Sequence, residues 1–117
     1  MTKREISTNE SKLEWLKKAL NNSGIPGMTV FDVFGYGMQK GHSTYYRGVE
    51  TEADLLPKIR VEVVVSTVPV HEVVAAARKA LYTGNIGDGK IFIYNVENVI
   101  RVSTGDEGKK ALEYPTE

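Results

Sequence analysis

The stretch Gly84-Asn85-Ile86-Gly87-Asp88-Gly89-Lys90 leads directly into Ile91-Phe92-Ile93-Tyr94, so a glycine-rich turn is followed by a β-branched and aromatic run. Glycine allows a tight turn with exposed consecutive N–H groups, and the lysine adds a positive charge on a flexible stem. These features suit a phosphate group. They equally suit a tight connection that needs several positive φ angles, so the heptapeptide alone leaves both interpretations open.

The turn resembles a P-loop in its spacing only. Gly84 and Gly89-Lys90 have the P-loop spacing, but Ile91 stands where a serine or threonine would bind magnesium. The order of elements is also reversed, because a P-loop joins a strand to a helix whose N-terminus holds the phosphate. The sequence therefore argues against a P-loop NTPase, whereas anion binding by the amides and Lys90 stays open.

The composition limits the class of protein. The chain has 117 residues, enough for one domain over residues 1–117, and its 15 basic and 15 acidic residues give zero formal net charge. This balance does not favour direct nucleic-acid binding. The sequence has no cysteine, no apolar run near the ~20 residues of a membrane span, and no secretion signal at its start. We expect a cytoplasmic protein.

The spacing of apolar residues predicts two amphipathic helices. In the first, Leu13, Leu16 and Leu20 recur at helical spacing after Ser11-Lys12-Leu13-Glu14, which has the pattern of a capping box. The second begins near Pro69 and ends before Gly84.

Four strands are predicted, at residues 2–8, 27–35, 58–65 and 90–96. The charges of Lys3, Arg4 and Glu5 favour an edge position for the first strand. The order β-α-β-β-α-β indicates a ferredoxin-like α+β fold, a four-stranded antiparallel sheet with two helices on one face. The other face retains a hydrophobic row, which so short a chain can bury against copies of itself.

A long loop joins the second and third strands. Residues 36–57 show no sustained period, which is unusual inside a compact domain. The loop carries Tyr45, Tyr46 and Arg47, whose types are enriched at contact hot spots. We therefore predict a binding loop over about 37–55 in preference to a passive connection. Residues from about 105 to 117 are polar and are expected to form a flexible tail.

The sequence contains no recognisable catalytic constellation. His42 and His71 lack a second metal ligand at useful spacing, so both are interpreted as surface histidines. No serine lies in a nucleophile-elbow pattern. We therefore predict that the protein is not an enzyme.

Several motifs at consistent mutual spacing resemble the PII nitrogen-regulatory signal proteins. The resemblance runs from Lys12 to Leu112 without gaps. The motifs are Gly35-Tyr36-Gly37-Met38-Gln39-Lys40-Gly41-His42, Tyr46-Arg47-Gly48, Leu56-Pro57-Lys58, Thr83-Gly84-Asn85-Ile86-Gly87-Asp88-Gly89-Lys90-Ile91-Phe92, and Arg101 with Thr104-Gly105. The resemblance implies a homotrimer of ferredoxin-like subunits that binds ATP or ADP in the clefts between subunits, with 2-oxoglutarate bound through Mg-ATP.

The resemblance also implies roles for individual residues. Arg101 would reach a phosphate from the neighbouring subunit, Gln39 would ligate magnesium, and Lys58 would pair with a carboxylate of 2-oxoglutarate. Adenosine would be surrounded by Gly27, Met28, Thr29, Glu62 and Val64, and phosphates would be held by Gly87, Gly89 and Lys90. The remaining residues implied at the ligand are Gly35, Gly37, Met38, Ile86, Asp88 and Ser103.

By the same resemblance, the long loop is the family's T-loop, which changes shape with the ligand and docks onto a target. Its contact residues would include Tyr45, Tyr46, Arg47 and Gly48. The implied targets are an ammonium transporter, or a regulator or enzyme of nitrogen metabolism. The protein would then reach the inner face of the membrane only through a transporter, and would not contact nucleic acid directly.

The chain departs from the family at four positions. Met38 and Ser103 stand where arginine is usual, and Asn85 replaces a common lysine. Thr51 replaces the loop tyrosine that is uridylylated in some relatives, so we expect no such modification. Because Met38 and Ser103 remove two arginines that commonly meet phosphates, a ligand-insensitive trimeric adaptor is an alternative to a nucleotide sensor. An ATP-hydrolysing enzyme is a third hypothesis, but no general base supports it.

Overall fold

The computed structural model describes residues 1–25, 27–36, 43–46, 49–52, 55–66, 69–85 and 87–113. Its elements are β1 (Thr2–Thr8), α1 (Leu13–Asn22), β2 (Thr29–Gly35), β3 (Ser43–Tyr46), β4 (Val49–Glu52), β5 (Leu56–Val65), α2 (Val70–Leu81), β6 (Lys90–Asn95) and α3 (Lys109–Leu112). Four strands form a sheet in the order β2-β5-β1-β6, with every neighbouring pair antiparallel. The predicted ferredoxin-like α+β fold is confirmed.

The hydrophobic core lies between one face of this sheet and helices α1 and α2. Alternate residues of β5 point into it, as their period predicted, and each fully buried aliphatic side chain contributes about 1.5–3 kcal/mol. The core residues are Ile6, Leu16, Leu20, Ile25, Ile59, Val61, Val63, Val65, Val73, Ala77 and Leu81.

Strand β1 lies inside the sheet, so the predicted edge position is wrong. Ile6 is paired with Val61 of β5 on one side and with Ile91 of β6 on the other. Arg4, Ile6 and Thr8 are buried on the helix side of the sheet. The position of a strand depends on its neighbours in space, and here those neighbours lie more than fifty residues away in the chain.

The face of the sheet away from the helices has a charged centre. Arg60 Nε lies 3.7 Å from Glu5 Oε1 and 3.5 Å from Glu62 Oε1, while Lys3 Nζ lies 3.7 Å from the same Glu62 oxygen. The Arg60 guanidinium also stacks 4.6 Å from the centre of the Phe31 ring. Phe31 on β2 and Phe92 on β6 flank this network, so the predicted hydrophobic row is interrupted at the centre.

The N-terminus of α1 differs from its prediction. Residues Glu10–Lys12 form a 3-10 turn, and α1 begins only at Leu13. Lys12 occupies the N-cap position and makes no side-chain capping hydrogen bond. The predicted capping box at Ser11 and Glu14 is therefore absent, because the preceding turn places Ser11 outside the cap.

The long loop contains regular structure that the sequence did not predict. Strands β3 and β4 form a two-stranded antiparallel sheet in which Ser43 is paired with Glu52 and Tyr46 with Val49. The available signal for a hairpin was the Arg47-Gly48 pair, which has β-branched and aromatic residues before it and the alternating β-branched Val49 and Thr51 after it.

The segment after β6 folds back on itself. Ile100 forms a β-bridge with Glu107, and the N–H groups of Arg101 and Gly105 donate to the carbonyls of Asp106 and Arg101, each at 2.8 Å. Helix α3 follows within the region for which the sequence predicts a flexible tail. None of the helices in the described ranges is both long and apolar enough to cross a membrane.

Candidate functional site

The glycine-rich turn is closed by the side chain of Asp88. Its Oδ2 accepts hydrogen bonds from the backbone N–H groups of Thr83 at 2.7 Å and Gly84 at 3.0 Å, and its Oδ1 accepts one from the Thr83 hydroxyl. These bonds favour the charged carboxylate, so they lower the pKa of Asp88 below its usual 3.8, with the Thr83 hydroxyl as the largest cause. The amides at the start of the turn are therefore occupied.

The second half of the turn lies against the end of β1. Gly87 and Gly89 have φ angles of +104° and +115°, which favour glycine. The Thr8 hydroxyl donates to the Asp88 carbonyl at 2.8 Å. Lys90 is exposed at the start of β6. The candidate phosphate-binding groups are therefore the backbone from Gly87 onward and the ammonium of Lys90.

Asn9 joins this turn to the base of the long loop. Lys58 Nζ donates to Asn9 Oδ1 at 2.6 Å, and Asn9 Nδ2 donates to the Gly87 carbonyl at 3.1 Å. A Cβ on Gly35 would lie 3.3 Å from Lys58 Cγ, so the lysine stem packs on the last residue of β2. Predicted residues from three separate motifs thus meet at one end of the sheet. Asn9 itself was not predicted.

A groove lies beside the turn, between it and the C-terminal half of α2. It has a volume of about 350 Å³, and its walls include Arg78, Tyr82 and Lys90. Arg78 is a second exposed cation near the turn that sequence reasoning did not single out, since its neighbourhood depends on how α2 packs against β6.

A second group of predicted residues lines a different cleft, also of about 350 Å³. Its members are the residues predicted around adenosine together with Arg101, namely Gly27, Met28, Thr29, Glu62, Val64 and Arg101. Residues Ala111, Leu112 and Glu113 form part of its wall. The structure therefore brings together a set of residues that the sequence distributes over more than seventy positions.

The guanidinium of Arg101 is held by the C-terminal segment. Its Nε and Nη2 donate to the Ala111 carbonyl at 3.3 and 3.0 Å, and Nη2 also donates to the Glu113 carbonyl. Ser103 is exposed in the adjacent turn. The hydrogen bonds found among the described residues involve Nε and Nη2 but not Nη1, so the two N–H groups of Nη1 can bind a phosphate without displacing these carbonyls.

The turn and the cleft lie at opposite edges of the sheet. Lys90 is on β6 and Thr29 on β2, and the strand register puts their Cα atoms about 16 Å apart. The ion-pair network around Arg60 lies between them. A single chain therefore does not place the candidate phosphate-binding turn against the candidate adenosine cleft.

The predictions for Gly37, Met38, Gln39, His42, Arg47, Gly48 and Ile86 fall outside the described residues. Tyr45 and Tyr46 lie on β3. Within the described ranges, no three histidine or carboxylate side chains lie close enough to hold a metal ion together. His71 lies exposed in the first turn of α2.

Comparisons with known proteins agree with this arrangement. Residues 1–106 match the family model described as Nitrogen regulatory protein P-II. The nitrogen regulatory protein P-II of Rhizobium meliloti is 47% identical over 112 residues, covering 96% of this chain and all of the relative. The nitrogen regulatory PII-like protein of Bacillus subtilis is 44% identical, covering 96% of this chain and 97% of the relative.

Solved structures show the same similarity. The structure of B. subtilis GlnK aligns with a TM-score of 0.77 at 40% identity, covering 94% of this chain and 96% of that chain. The B. subtilis GlnK-ATP complex aligns with a TM-score of 0.77 at 37% identity, covering 94% of each chain. Since both the sequence match and the fold extend over nearly the whole length, the chain belongs to the nitrogen regulatory protein P-II family, whose members are regulatory signal transducers and not enzymes.

Proposed function

We propose that this protein is a trimeric PII-type sensor, which binds ATP or ADP between subunits and signals to a target through the loop at residues 37–55. The observation that carries the proposal is the separation of the turn from the cleft within one chain. The similarity to a GlnK solved in complex with ATP supports an adenine nucleotide as the ligand.

A second copy of the chain can supply the missing half of each site. If the glycine-rich turn of one subunit faces the cleft of the next, the two groups can contact one nucleotide. Such an interface joins two different surfaces, and three copies related by a threefold axis close it into a ring. The ring then contains three equivalent sites.

The chemistry of the two groups suits the two ends of a nucleotide. Met28 and Val64 offer apolar surface to a purine ring, and the hydroxyl of Thr29 offers a hydrogen-bonding group to the ring edge or ribose. At the other end, Lys90 and the backbone after Gly87 suit phosphates. Arg101 would add a bidentate donor from the neighbouring subunit.

Magnesium and 2-oxoglutarate extend this proposal. Lys58 carries the ammonium that would bind a carboxylate of 2-oxoglutarate, and Gln39 would provide an oxygen ligand to Mg²⁺ bridging the effector and ATP. Met38 and Ser103 stand where arginine is usual, so we expect weaker binding of the triphosphate than in relatives that have both arginines.

The target would be recognised by the loop, including Tyr45, Tyr46, Arg47 and Gly48. We propose an ammonium transporter, or a regulator or enzyme of nitrogen metabolism, as the target class. Ligand binding would favour one loop shape and thereby shift the population that fits the partner. The protein would reach a membrane only through a transporter partner.

Native mass spectrometry and calorimetry test the proposal together. We expect a trimer with up to three bound nucleotides, and we expect Lys90→Ala to weaken ATP binding by about 10-fold or more, because it removes a charge-assisted contact. Lys79→Ala, an exposed lysine on α2, is the matched control. No binding of ATP or ADP at millimolar ligand would reject the sensor function.

Mixed trimers test the position of the site. Lys90→Ala subunits and Arg101→Ala subunits each lack one half of the proposed site, so homotrimers of either should bind ATP weakly. A trimer mixed from both contains one interface with Lys90 from one subunit and Arg101 from another. Recovery of a tight site in the mixture supports an intersubunit site, whereas a site within one chain cannot recover.

The partly occupied guanidinium of Arg101 favours the alternative of a ligand-insensitive trimeric adaptor. Its Nε and Nη2 donors already bind carbonyls of the C-terminal segment. A pull-down from nitrogen-limited cells, washed with or without ATP or ADP, distinguishes the two functions. Partner release by nucleotide supports the sensor, and unchanged retention supports the adaptor.

A further inference from the structure

We propose that Asn9 is the positioning residue that couples the nucleotide turn to the effector end of the site, so that binding of ATP and of a small dicarboxylate reinforce each other. This inference rests on the proposed function. It adds a residue that belongs to none of the family motifs in the sequence and that contacts both ends at once.

The side chain of Asn9 uses its two polar atoms in opposite directions. Its oxygen accepts from Lys58 Nζ at 2.6 Å, and its nitrogen donates to the Gly87 carbonyl at 3.1 Å. Asn9 lies directly after the buried Thr8, whose hydroxyl donates to the carbonyl of Asp88. The bridge therefore starts from the rigid end of β1.

The lysine can keep this bridge while it binds a ligand. An ammonium has three N–H donors, so Lys58 can donate to Asn9 and to a carboxylate at the same time. With Asn9 in place, the ammonium is held at one position instead of sampling the rotamers of its flexible stem. A carboxylate that binds this fixed ammonium in turn stabilises the Lys58–Asn9 contact.

The side-chain amide of Asn9 also fixes the glycine-rich turn that is proposed to bind the nucleotide. Gly87 has a φ of +104°, and its carbonyl is held by Asn9, so the direction of the peptide group that follows depends on this bond. The charge on Lys58 polarises the Asn9 amide and strengthens its N–H donor toward Gly87. A ligand at either end thus stabilises the same chain of hydrogen bonds. Because the first ligand has already ordered this part of the protein, the protein loses less conformational freedom when the second ligand binds.

Double titration by calorimetry measures this coupling. In wild-type protein with excess Mg²⁺, we expect saturating 2-oxoglutarate to tighten ATP binding by about 5-fold or more, and saturating ATP to tighten 2-oxoglutarate binding by the same factor. Asn9→Leu has nearly the same size but no polar atom, and we expect its coupling factor to fall at least about 2-fold below that of the wild type, while the coupling through the bridging Mg²⁺ remains. Asn21→Leu, an exposed asparagine on α1, is the matched control and should keep the wild-type factor.

A second variant separates the two halves of the bridge. Asn9→Asp keeps an oxygen for Lys58 but has no donor for the Gly87 carbonyl at neutral pH. We expect the coupling factor to fall in this variant although Lys58 retains its partner. Thermal unfolding of each variant verifies that the trimer remains folded during the titration.

The outcomes distinguish the inference from the function on which it rests. If the wild type binds no ATP, the proposed function fails. If the wild type binds ATP without coupling to 2-oxoglutarate, or if Asn9→Leu or Asn9→Asp retains the wild-type coupling factor, only the role of Asn9 is overturned.

Discussion

Gly89 lies in direct contact with the backbone of Ser7, since a Cβ on this glycine would stand 2.0 Å from the Ser7 carbonyl oxygen. Its φ of +115° adds a second requirement for glycine. We expect Gly89→Ala to lower the free energy of unfolding by about 2 kcal/mol or more, because both the close approach and the dihedral angle are lost.

Urea denaturation measures this loss, with Gly24→Ala as the control. Gly24 has a φ of +82°, but a Cβ added to it would meet nothing within 4 Å, so its alanine variant carries only the conformational strain, about 1–2 kcal/mol. Equal losses in the two variants would show that the contact with Ser7 has no energetic effect.

The fully buried Arg4 should limit the stability of the fold. Its Nη1 donates to the Thr2 carbonyl at 3.2 Å, but its Nε and Nη2 have no acceptor among the described residues, and burial lowers the pKa of the guanidinium. We expect Arg4→Met to stabilise the protein by about 1–4 kcal/mol, because it keeps an apolar stem and removes an incompletely paired buried charge.

Denaturation of Arg78→Met provides the comparison for Arg4→Met. Arg78 is exposed, and its replacement should change the free energy of unfolding by only about 0.5 kcal/mol. A large destabilisation by Arg4→Met would indicate that the guanidinium has acceptors that outweigh its desolvation.

Asp88 should make the stability depend on acidic pH. Its pKa is lowered in the folded state, so the hydrogen bonds from Thr83 and Gly84 stabilise the fold fully above the usual pKa of 3.8, which applies to the unfolded chain, and are lost as the pH falls through the lower folded value. The stability difference between wild type and Asp88→Asn should therefore be constant near neutral pH and shrink below about pH 4.

Urea unfolding at several pH values verifies this dependence. In a Thr83→Val background, which lacks the hydroxyl donor, the part of the difference that varies with pH should be smaller. A difference that stays constant through the acidic range would contradict the assigned role of the carboxylate.

Ser103→Arg should restore a missing cation. Under the proposed function, one added charge-assisted contact should tighten ATP binding by about 10-fold and leave adenosine binding nearly unchanged. Ser103→Gln, which adds length without charge, is the control. An equal gain for adenosine, or the same gain from glutamine, would count against a phosphate contact at this position.

The sequence was sufficient to predict the strands and helices whose apolar residues recur at regular spacing. The alternation of Ile59, Val61 and Val63 identified a core strand, and the spacing from Val70 to Leu81 identified α2. The local sequence pattern gave a wrong prediction where contacts with distant residues determine the position of a strand in the sheet. Three consecutive charges suggested an edge for β1, but partners on adjacent strands accommodate Lys3 and Glu5 inside the sheet.

The candidate site was predictable to a similar extent. The family resemblance implied the residues of the turn and of the cleft, and the structure gathers them into two groups, while their roles as ligand contacts stay predictions. The roles of Asn9 and Asp88 had no local signal, because the bridge from Asn9 to Gly87 spans 78 positions and the cap by Asp88 depends on the fold of the turn. The separation of the two groups likewise becomes visible only with the strand order.

The inner position of β1 has a consequence for synthesis of the chain. Thr2 is paired with Val65 on one side and with Asn95 on the other, so this strand is synthesised before both of its partners and obtains the second one more than ninety residues later. During that interval its backbone edges are open to other nascent chains. The charges of Lys3, Arg4 and Glu5 oppose such pairing, so the polarity that looks unfavourable in a central strand protects the chain before it folds.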